Sequence, residues 1–124
     1  MYKVIFYKTS RGEEPVERYL KTLDIKIRTK CYKLLTLLEN LGPSLKRPYA
    51  DLLKNKIYEL RIKHGSNQYR THYFFFERDY IVVTHGFTKK TSSVPEAEIT
   101  RAEAYREDFK GQIAKGEKYE PKKI

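Results

Sequence analysis

The centre of the chain is a run of three β-type segments joined by short turns, and this run restricts the possible folds more than any other feature. Residues 57–63 alternate between two kinds of side chain, which is the two-residue period of a strand with one charged face. Residues 68–76 and 80–87 are rich in aromatic and β-branched residues, and a short polar turn precedes each of them. Because tight turns join antiparallel strands, the sequence predicts a three-stranded antiparallel meander.

A strand and two helices are predicted before the meander. Residues 2–7 mix aromatic and β-branched side chains, as a strand does, and Pro15 can then open a short helix that ends near Leu23. Residues 25–41 place apolar side chains at spacings of three and four, with Asp24 as the expected N-cap. These two helices are expected to form an amphipathic hairpin.

A third helix is predicted after the meander. It begins at Pro95, carries apolar residues along one side and ends near Gly111 or Gly116. Residues 117–124 are expected to form a loose tail. The predicted fold class is therefore α+β, with a small antiparallel β-sheet, an N-terminal helical hairpin and a C-terminal helix.

The chain has 124 residues, which is the usual length of one domain, so a single domain over residues 1–124 is expected. Its longest apolar runs are far shorter than the ~20 residues that span a bilayer, and no early apolar block resembles a signal peptide. The lone cysteine, Cys31, has no partner for an internal disulfide and is expected to be a buried small hydrophobe. These features favour a cytoplasmic protein with no membrane segment.

Positive charge is the first indication of function. The chain has 26 Lys and Arg residues against 16 Asp and Glu residues, which gives a formal net charge of +10. Residues 95–124 contain 7 acidic and 7 basic residues, so residues 1–94 carry the whole excess. A polyanion such as a nucleic acid is the expected partner, although basic charge can also serve solubility alone.

Basic side chains are expected to gather at one edge of the meander. Arg61 and Arg70 lie on either arm of the predicted hairpin, so the turn between them would bring them onto neighbouring strands. Lys89 and Lys90 follow the third strand, in a basic loop over residues 89–93. Each of these cations can hold a phosphate oxygen, and an arginine can do so through two parallel hydrogen bonds. The sequence thus predicts a phosphodiester site in outline.

Carboxylates are few among these cations. The central strands offer mainly Glu59 and Glu77, whereas metal-dependent nucleases usually cluster several carboxylates around Mg²⁺. The chain has no phosphate-binding loop, dinucleotide fingerprint, zinc-protease motif or nucleophile elbow. A cleavage mechanism, if present, is expected to be metal-free. The alternative for Arg61 is a structural salt bridge with Glu59 or Glu77.

Three side chains are available for proton transfer beside this site. They are His72, His85 and Tyr73, and His85 is preferred because it lies near the end of its strand. A lone histidine in a small protein is more often structural, and the alternation of the second strand assigns Phe74–Phe76 to the core. The acid and base are therefore left open by the residues themselves.

The order of several short segments resembles a known family. Similarity covers nearly the whole chain and is carried by residues 57–61 (IYELR), 69–73 (YRTHY) and 85–91 (HGFTKKT), then Pro95, Glu98-Ile99 and Ala102. This combination is similar to the phage-derived HigB-type branch of the RelE/ParE superfamily of toxins. The resemblance implies a RelE-like microbial RNase fold and the toxin of a type II toxin–antitoxin system, without a cofactor.

The resemblance also implies a mechanism, in which a ribose 2′-hydroxyl attacks the adjacent phosphate of an mRNA on the ribosome. Catalytic roles would fall to the following residues: Arg61, Arg70, Lys89, Lys90, His85 and Tyr73. The two arginines would orient the phosphate, a lysine would hold the leaving side, and His85 or Tyr73 would transfer protons. Further RNA contacts would come from Lys56, Lys63 and His72.

A partner and two alternative functions complete these expectations. The family implies a helix-turn-helix antitoxin similar to HigA, which could form a heterotetramer with two toxin chains around an antitoxin dimer. One alternative is a basic RNA- or DNA-binding module without catalysis, in which the arginines only neutralise phosphates. The other alternative is a degenerate toxin that survives as the partner of an antitoxin.

Overall fold

The structure consists of one five-stranded sheet with helices on both faces. It is a computed structural model that describes residues 1–91 and 93–124, so Ser92 of the predicted basic loop lies outside the described residues. The elements in chain order are β1 (Lys3–Phe6), α1 (Pro15–Lys21), α2 (Ile25–Leu41), β2 (Ala50–Leu52), β3 (Tyr58–His64), β4 (Asn67–Phe76), β5 (Tyr80–Lys89) and α3 (Glu96–Ala114). A 3-10 turn over Gly42–Ser44 follows α2.

The sheet contains the predicted meander and two further strands. Its order is β1-β5-β4-β3-β2, in which β1 runs parallel to β5 and every other pair is antiparallel. The predicted α+β class, the meander and the three helices are therefore confirmed. Strand β2 was not predicted, because three residues beside Pro48 are too short to show a period.

The two faces of the sheet bury different helices. One face packs against α1 and α2 through a core that includes Phe6, Leu35, Leu60, Tyr73 and Val83. The other face packs against α3 through a core that includes Ile5, Phe74, Val82, Ala102 and Phe109. Alternation along each strand produces this division, since successive side chains point to opposite faces.

A β-bulge between β4 and β5 changes the register near the centre of the sheet. His72 pairs with His85, whereas Tyr73 pairs with Val83, so Thr84 is the extra residue. The Thr84 hydroxyl donates to the His72 carbonyl oxygen at 3.2 Å, which satisfies a buried polar group at the irregularity. The bulge therefore places His72 and His85 side by side on the face that carries α3.

The helix α2 has the predicted bounds and a capped start. The Asp24 carboxylate accepts from the backbone N–H of Lys26 at 2.8 Å, as expected of an N-cap. Cys31 is buried on the apolar side of this helix, and burial raises the pKa of its thiol to about 11. The expectation that Cys31 serves as a small hydrophobe fits this environment.

Residues 117–124 have no helix or strand, yet they are anchored, in contrast to the predicted loose tail. The Lys122 backbone N–H donates to the Val4 carbonyl oxygen at 2.8 Å, and its ammonium lies 2.7 Å from Glu14. The Tyr119 ring packs against Phe109, and its hydroxyl donates to the Lys8 carbonyl oxygen at 2.7 Å. The sequence prediction missed this anchoring because the contacts with Val4, Lys8 and Glu14 join residues more than a hundred positions apart. In the described part of the chain, no helix is long and apolar enough to cross a membrane.

Two glycine substitutions test the packing of the sheet against α1. A Cβ on Gly86 would lie 2.2 Å from the ring of Tyr19, whose hydroxyl donates to the Phe87 carbonyl oxygen at 2.9 Å. Because this ring is held at its far end, Gly86→Ala is expected to lower the free energy of unfolding by about 1–3 kcal/mol in urea denaturation. Gly111→Ala is the control, since its Cβ meets no atom within 4 Å and alanine favours a helix by about 0.5–1 kcal/mol. Equal effects of the two variants would contradict this packing.

Candidate active site

A buried carboxylate, that of Glu59 on β3, lies at the centre of the candidate site. Its side chain has no solvent exposure. One oxygen, Oε1, accepts from Nη1 of Arg61 at 3.2 Å and lies 3.2 Å from Nε of Arg70. The other oxygen, Oε2, lies 3.0 Å from Nε2 of His72. A single anion thus contacts two guanidinium groups and one imidazole.

Strand register brings these four residues together. Glu59 pairs with His72 and Arg61 pairs with Arg70, so all four side chains share one face of the sheet. This is also the face of the sheet whose apolar side chains pack against α3. The prediction that Arg61 and Arg70 lie on neighbouring strands and share a face is confirmed, and the predicted alternative of an Arg61–Glu59 ion pair is also present.

The two arginines differ in their exposure. Arg70 is 2% exposed, and its guanidinium donates to the side-chain oxygen of Gln68. Burial lowers the pKa of Arg70, as does the repulsion of Arg61, while Glu59 opposes both effects. Arginine nevertheless stays protonated in proteins. The Arg61 side chain is 15% exposed and lines an open cleft, so it is the arginine that a ligand would meet first.

The cleft beside Arg61 is strongly cationic. The residues that line it are Arg47, Pro48, Arg61, Lys63, Gln68 and Arg70. Four of these six carry a positive charge, of which Arg47 is paired with Asp51 at 2.7 Å. A phosphate group is the anion that matches several guanidinium and ammonium donors around one opening.

Lys89 adds a further cation at this end of the sheet. It belongs to β5 rather than to a loop, and it pairs with Gln68 in the strand register. Its Nζ is buried and has no hydrogen-bond partner among the described residues. Burial lowers the pKa of Lys89, and the charges of Arg70 and Arg61 lower it further, although Glu59 opposes the effect. Its ammonium therefore gives up a proton more readily than that of an ordinary lysine.

His85 occupies a different environment from the one expected for a general acid. Its Nδ1 lies 3.0 Å from the Thr84 hydroxyl, and its Nε2 lies 3.1 Å from the Glu98 carboxylate on α3. Burial lowers the pKa of His85 to about 3, helped by the charges of His72 and Arg101. The ring is neutral at pH 7 and both of its nitrogens are engaged, which favours a structural role over proton transfer.

Tyr73 and His72 do not lie where their predicted roles require. Tyr73 is buried on the opposite face, among the side chains that pack against α1 and α2, and its ring stacks on Tyr58 at 5.3 Å. Burial raises the pKa of its hydroxyl. His72 is completely buried against Glu59, so RNA cannot contact it. Alternation along β4 places Tyr73 on the face opposite Arg70 and His72, whereas the pairing of His72 with Glu59 depends on strand register.

The remaining predicted residues are divided between the cleft and other surfaces. Lys63 is exposed and lines the cleft beside Arg61. Lys90 is exposed directly after β5. Lys56 lies in the turn between β2 and β3, beside Asn55, whose amide donates to Glu103 of α3 at 2.6 Å. The structure therefore brings Arg61, Arg70, Lys63 and Lys89 together and leaves Lys56 apart, next to α3.

Sequence reasoning missed the central position of Glu59 and the contributions of Gln68 and Arg47. The alternating pattern already placed Glu59 on the same strand face as Arg61, which was the available signal. Arg47 lies before β2, a strand that showed no pattern. Within the described ranges, no three His, Cys, Asp or Glu side chains are grouped so that they could hold a metal ion.

Comparison with known proteins identifies one family. A family model described as "Phage derived protein Gp49-like (DUF891)" matches residues 18–107, from α1 into α3, and includes every residue of the candidate site. No protein in the curated collection of sequences matches the chain.

Removal of the central carboxylate is expected to destabilise the fold strongly. Glu59→Ala would leave the charges of Arg61 and Arg70 buried without a counter-ion, a change that typically costs about 3–5 kcal/mol. Urea denaturation at pH 7 measures the loss. The control is Glu13→Ala, which breaks an exposed ion pair with Arg18 and should cost less than ~1 kcal/mol. A similar loss in both variants would contradict the central role of Glu59.

The environment of His85 predicts a particular pH dependence of stability. Its folded pKa of about 3 lies below the ordinary value of 6.5, so below pH 6.5 the unfolded chain binds the extra proton. Stability should therefore fall as the pH drops from 6.5 towards 3, by on the order of 2 kcal/mol at pH 5 from this group alone.

Urea denaturation at pH 7 and pH 5 measures this effect in matched variants. His85→Gln should lose the His85 part of the pH dependence, whereas His64→Gln, on an exposed histidine, should retain it. An unchanged pH dependence in His85→Gln would show that the imidazole is not held neutral in the folded chain.

Proposed function

Because the chain belongs to the phage-derived Gp49-like family, which is related to the RelE and HigB toxins, we propose that it is the toxin of a type II toxin–antitoxin system and cleaves mRNA on the ribosome. Family membership supports the first part of the proposal. The observation that carries the second part is the cationic cleft, in which Arg61 and Lys63 lie beside the buried Arg70. A helix-turn-helix antitoxin is the partner that this proposal predicts.

The proposed reaction is an attack within the RNA strand. The ribose 2′-oxygen forms a bond to the adjacent phosphorus as the bond from phosphorus to the 5′-oxygen breaks, which leaves a 2′,3′-cyclic phosphate and a 5′-hydroxyl. Negative charge grows on the non-bridging phosphate oxygens during this step. Arg61 would stabilise that charge by direct contact. Arg70, which is buried beside it, would stabilise the charge through its positive potential.

Glu59 supports this role by holding the arginines in place before the substrate arrives. Its Oε1 contacts both guanidinium groups at 3.2 Å, so they need little rearrangement to receive a phosphate. The carboxylate also allows two like charges to sit on paired positions of neighbouring strands, where they would otherwise repel. Glu59 is thus a positioning residue for the proposed phosphate site.

Lys89 is the side chain that we assign to protonation of the leaving 5′-oxygen. Its pKa is lowered by burial and by the two arginines, and its Nζ has no competing partner in the described part of the chain. These are the properties of a general acid. The 2′-proton would pass to a group of the ribosomal decoding site, which completes the acid–base pair only when the toxin is bound there.

Binding of RNA without cleavage is the second candidate function. It is favoured by one observation, which is that the residues lining the cleft include no histidine, tyrosine or carboxylate. A binding module needs only the cations, whereas cleavage needs proton transfer as well. Cleavage and affinity must therefore be measured separately.

Two substitutions are expected to lower the rate of cleavage far more than they lower the affinity for RNA. Arg61→Ala and Lys89→Gln should each lower the rate about 10²-fold or more, because each removes a group used at the transition state. The measurement is cleavage of a translated reporter mRNA in a reconstituted translation system, with mapping of the new 5′ ends. The control is Lys110→Gln on the exposed side of α3, which removes the same charge away from the cleft.

Affinity for a short single-stranded RNA is measured on the same proteins. If the wild-type protein binds RNA but cuts no mRNA in the translation system, its function is RNA binding without cleavage. If Lys89→Gln cleaves at the wild-type rate, Lys89 is not the proton donor.

A further inference from the structure

An open groove runs between α2 and β3 on the side of the sheet opposite α3. Its apolar floor is formed by Leu34 and Leu37 of α2 and by Ile62 of β3. Pro48 and Tyr49 form one wall, and Tyr49 is 49% exposed, so a large aromatic surface faces the solvent there. The floor is part of the edge of the core, and no other described element covers it.

Positive charge surrounds this apolar floor. Lys30 and Lys33 of α2 line one side, and Arg61 and Lys63 of β3 line the other. The described lining contains no acidic side chain, and of these four cations Arg61 has a counter-ion, Glu59, which lies outside the groove. An apolar floor between two cationic edges is complementary to a segment that has apolar residues on one side and carboxylates on its flanks.

The spacing along α2 indicates the shape of that segment. Lys30, Lys33, Leu34 and Leu37 follow one another at intervals of three, one and three residues, so they form a single stripe about two turns long. A helix laid along this stripe would insert its own i, i+3, i+4 and i+7 side chains against the floor.

The groove and the phosphate cleft share three residues. Pro48, Arg61 and Lys63 line both, so the two openings meet along β3, where the Arg61 side chain is held by Glu59 on the α3 face. A carboxylate that binds Arg61 from the groove would compete with a phosphate that binds the same guanidinium from the cleft. A ligand bound in the groove would therefore weaken the binding of a phosphate in the cleft.

We propose that this α2–β3 groove binds an acidic amphipathic helix of a partner protein, and that the bound helix withdraws Arg61 from the phosphate cleft. Binding follows from the groove alone, whereas inhibition of cleavage rests on the proposed function. The aliphatic floor favours a helix over RNA. Burial of leucine and isoleucine side chains against apolar residues lowers the free energy, whereas these side chains have no hydrogen-bond donors for phosphates or ribose.

The test uses a fluorescein-labelled synthetic peptide of about four helical turns. Leucines occupy one face at the i, i+3, i+4 and i+7 positions, and glutamates occupy the remaining positions. A second peptide of equal composition has its leucines distributed around the helix. Fluorescence anisotropy at physiological salt measures the affinity of the full-length protein for each peptide, and amide NMR shifts of Leu37 and Ile62 report the location.

The amphipathic peptide should bind at least about tenfold more tightly than its rearranged counterpart. The double variant Lys30→Glu/Lys33→Glu should weaken that binding at least about tenfold, and Leu37→Ser should weaken it as well. The matched control is Lys26→Glu/Lys110→Glu, which makes the same charge change on exposed residues outside the groove and should leave the affinity within about twofold.

Three results would overturn the proposal. The first is equal affinity for the two peptides, which would indicate attraction by charge alone. The second is absence of binding, and the third is preferential binding of a single-stranded oligouridylate that Lys30→Glu/Lys33→Glu weakens, which would make the groove part of an RNA path. None of these measurements requires cleavage, so a protein that cuts no mRNA would still pass or fail the binding test. Where the protein does cleave, the peptide should inhibit the wild-type enzyme and spare Lys30→Glu/Lys33→Glu.

Discussion

A carboxylate without water around it is unfavourable by several kcal/mol unless cations or hydrogen-bond donors surround it, and Glu59 meets that requirement with Arg61, Arg70 and His72. The dependence is mutual. Arg70 is almost fully buried, and the same carboxylate is the counter-ion that offsets the cost of burying its charge. The four side chains therefore form one unit, in which each group makes the burial of the others possible.

This unit couples the stability of the sheet to its proposed chemistry. The charges that a phosphate would meet are already gathered and held by Glu59, so little reorganisation is needed when a substrate arrives. The buried amine of Lys89 is under the positive potential of the same arginines. His85 is hydrogen-bonded to Glu98 and stays neutral, so it links the sheet to α3 rather than to the cleft.

Several elements could be read from single residues and periods. The alternation over residues 57–63 indicated β3, the three-and-four spacing over residues 25–41 indicated α2, and Asp24 marked its start. The proximity of Arg61 and Arg70 followed from one turn, since a hairpin fixes its neighbours locally. By contrast, β2 and the anchored residues 117–124 depend on contacts with distant segments, which no local pattern records.

The sequence alone determined the meander, the three helices and the basic character of residues 1–94, because periodicity and charge are properties of local composition. The tertiary structure decided which of the predicted site residues share a surface. A one-residue bulge in β5 placed His85 against α3, and the strand register buried His72 against Glu59 and left Arg61 beside two openings. The physical reason is that a side chain's face depends on pairing between strands, and a shift of one residue moves it through the sheet.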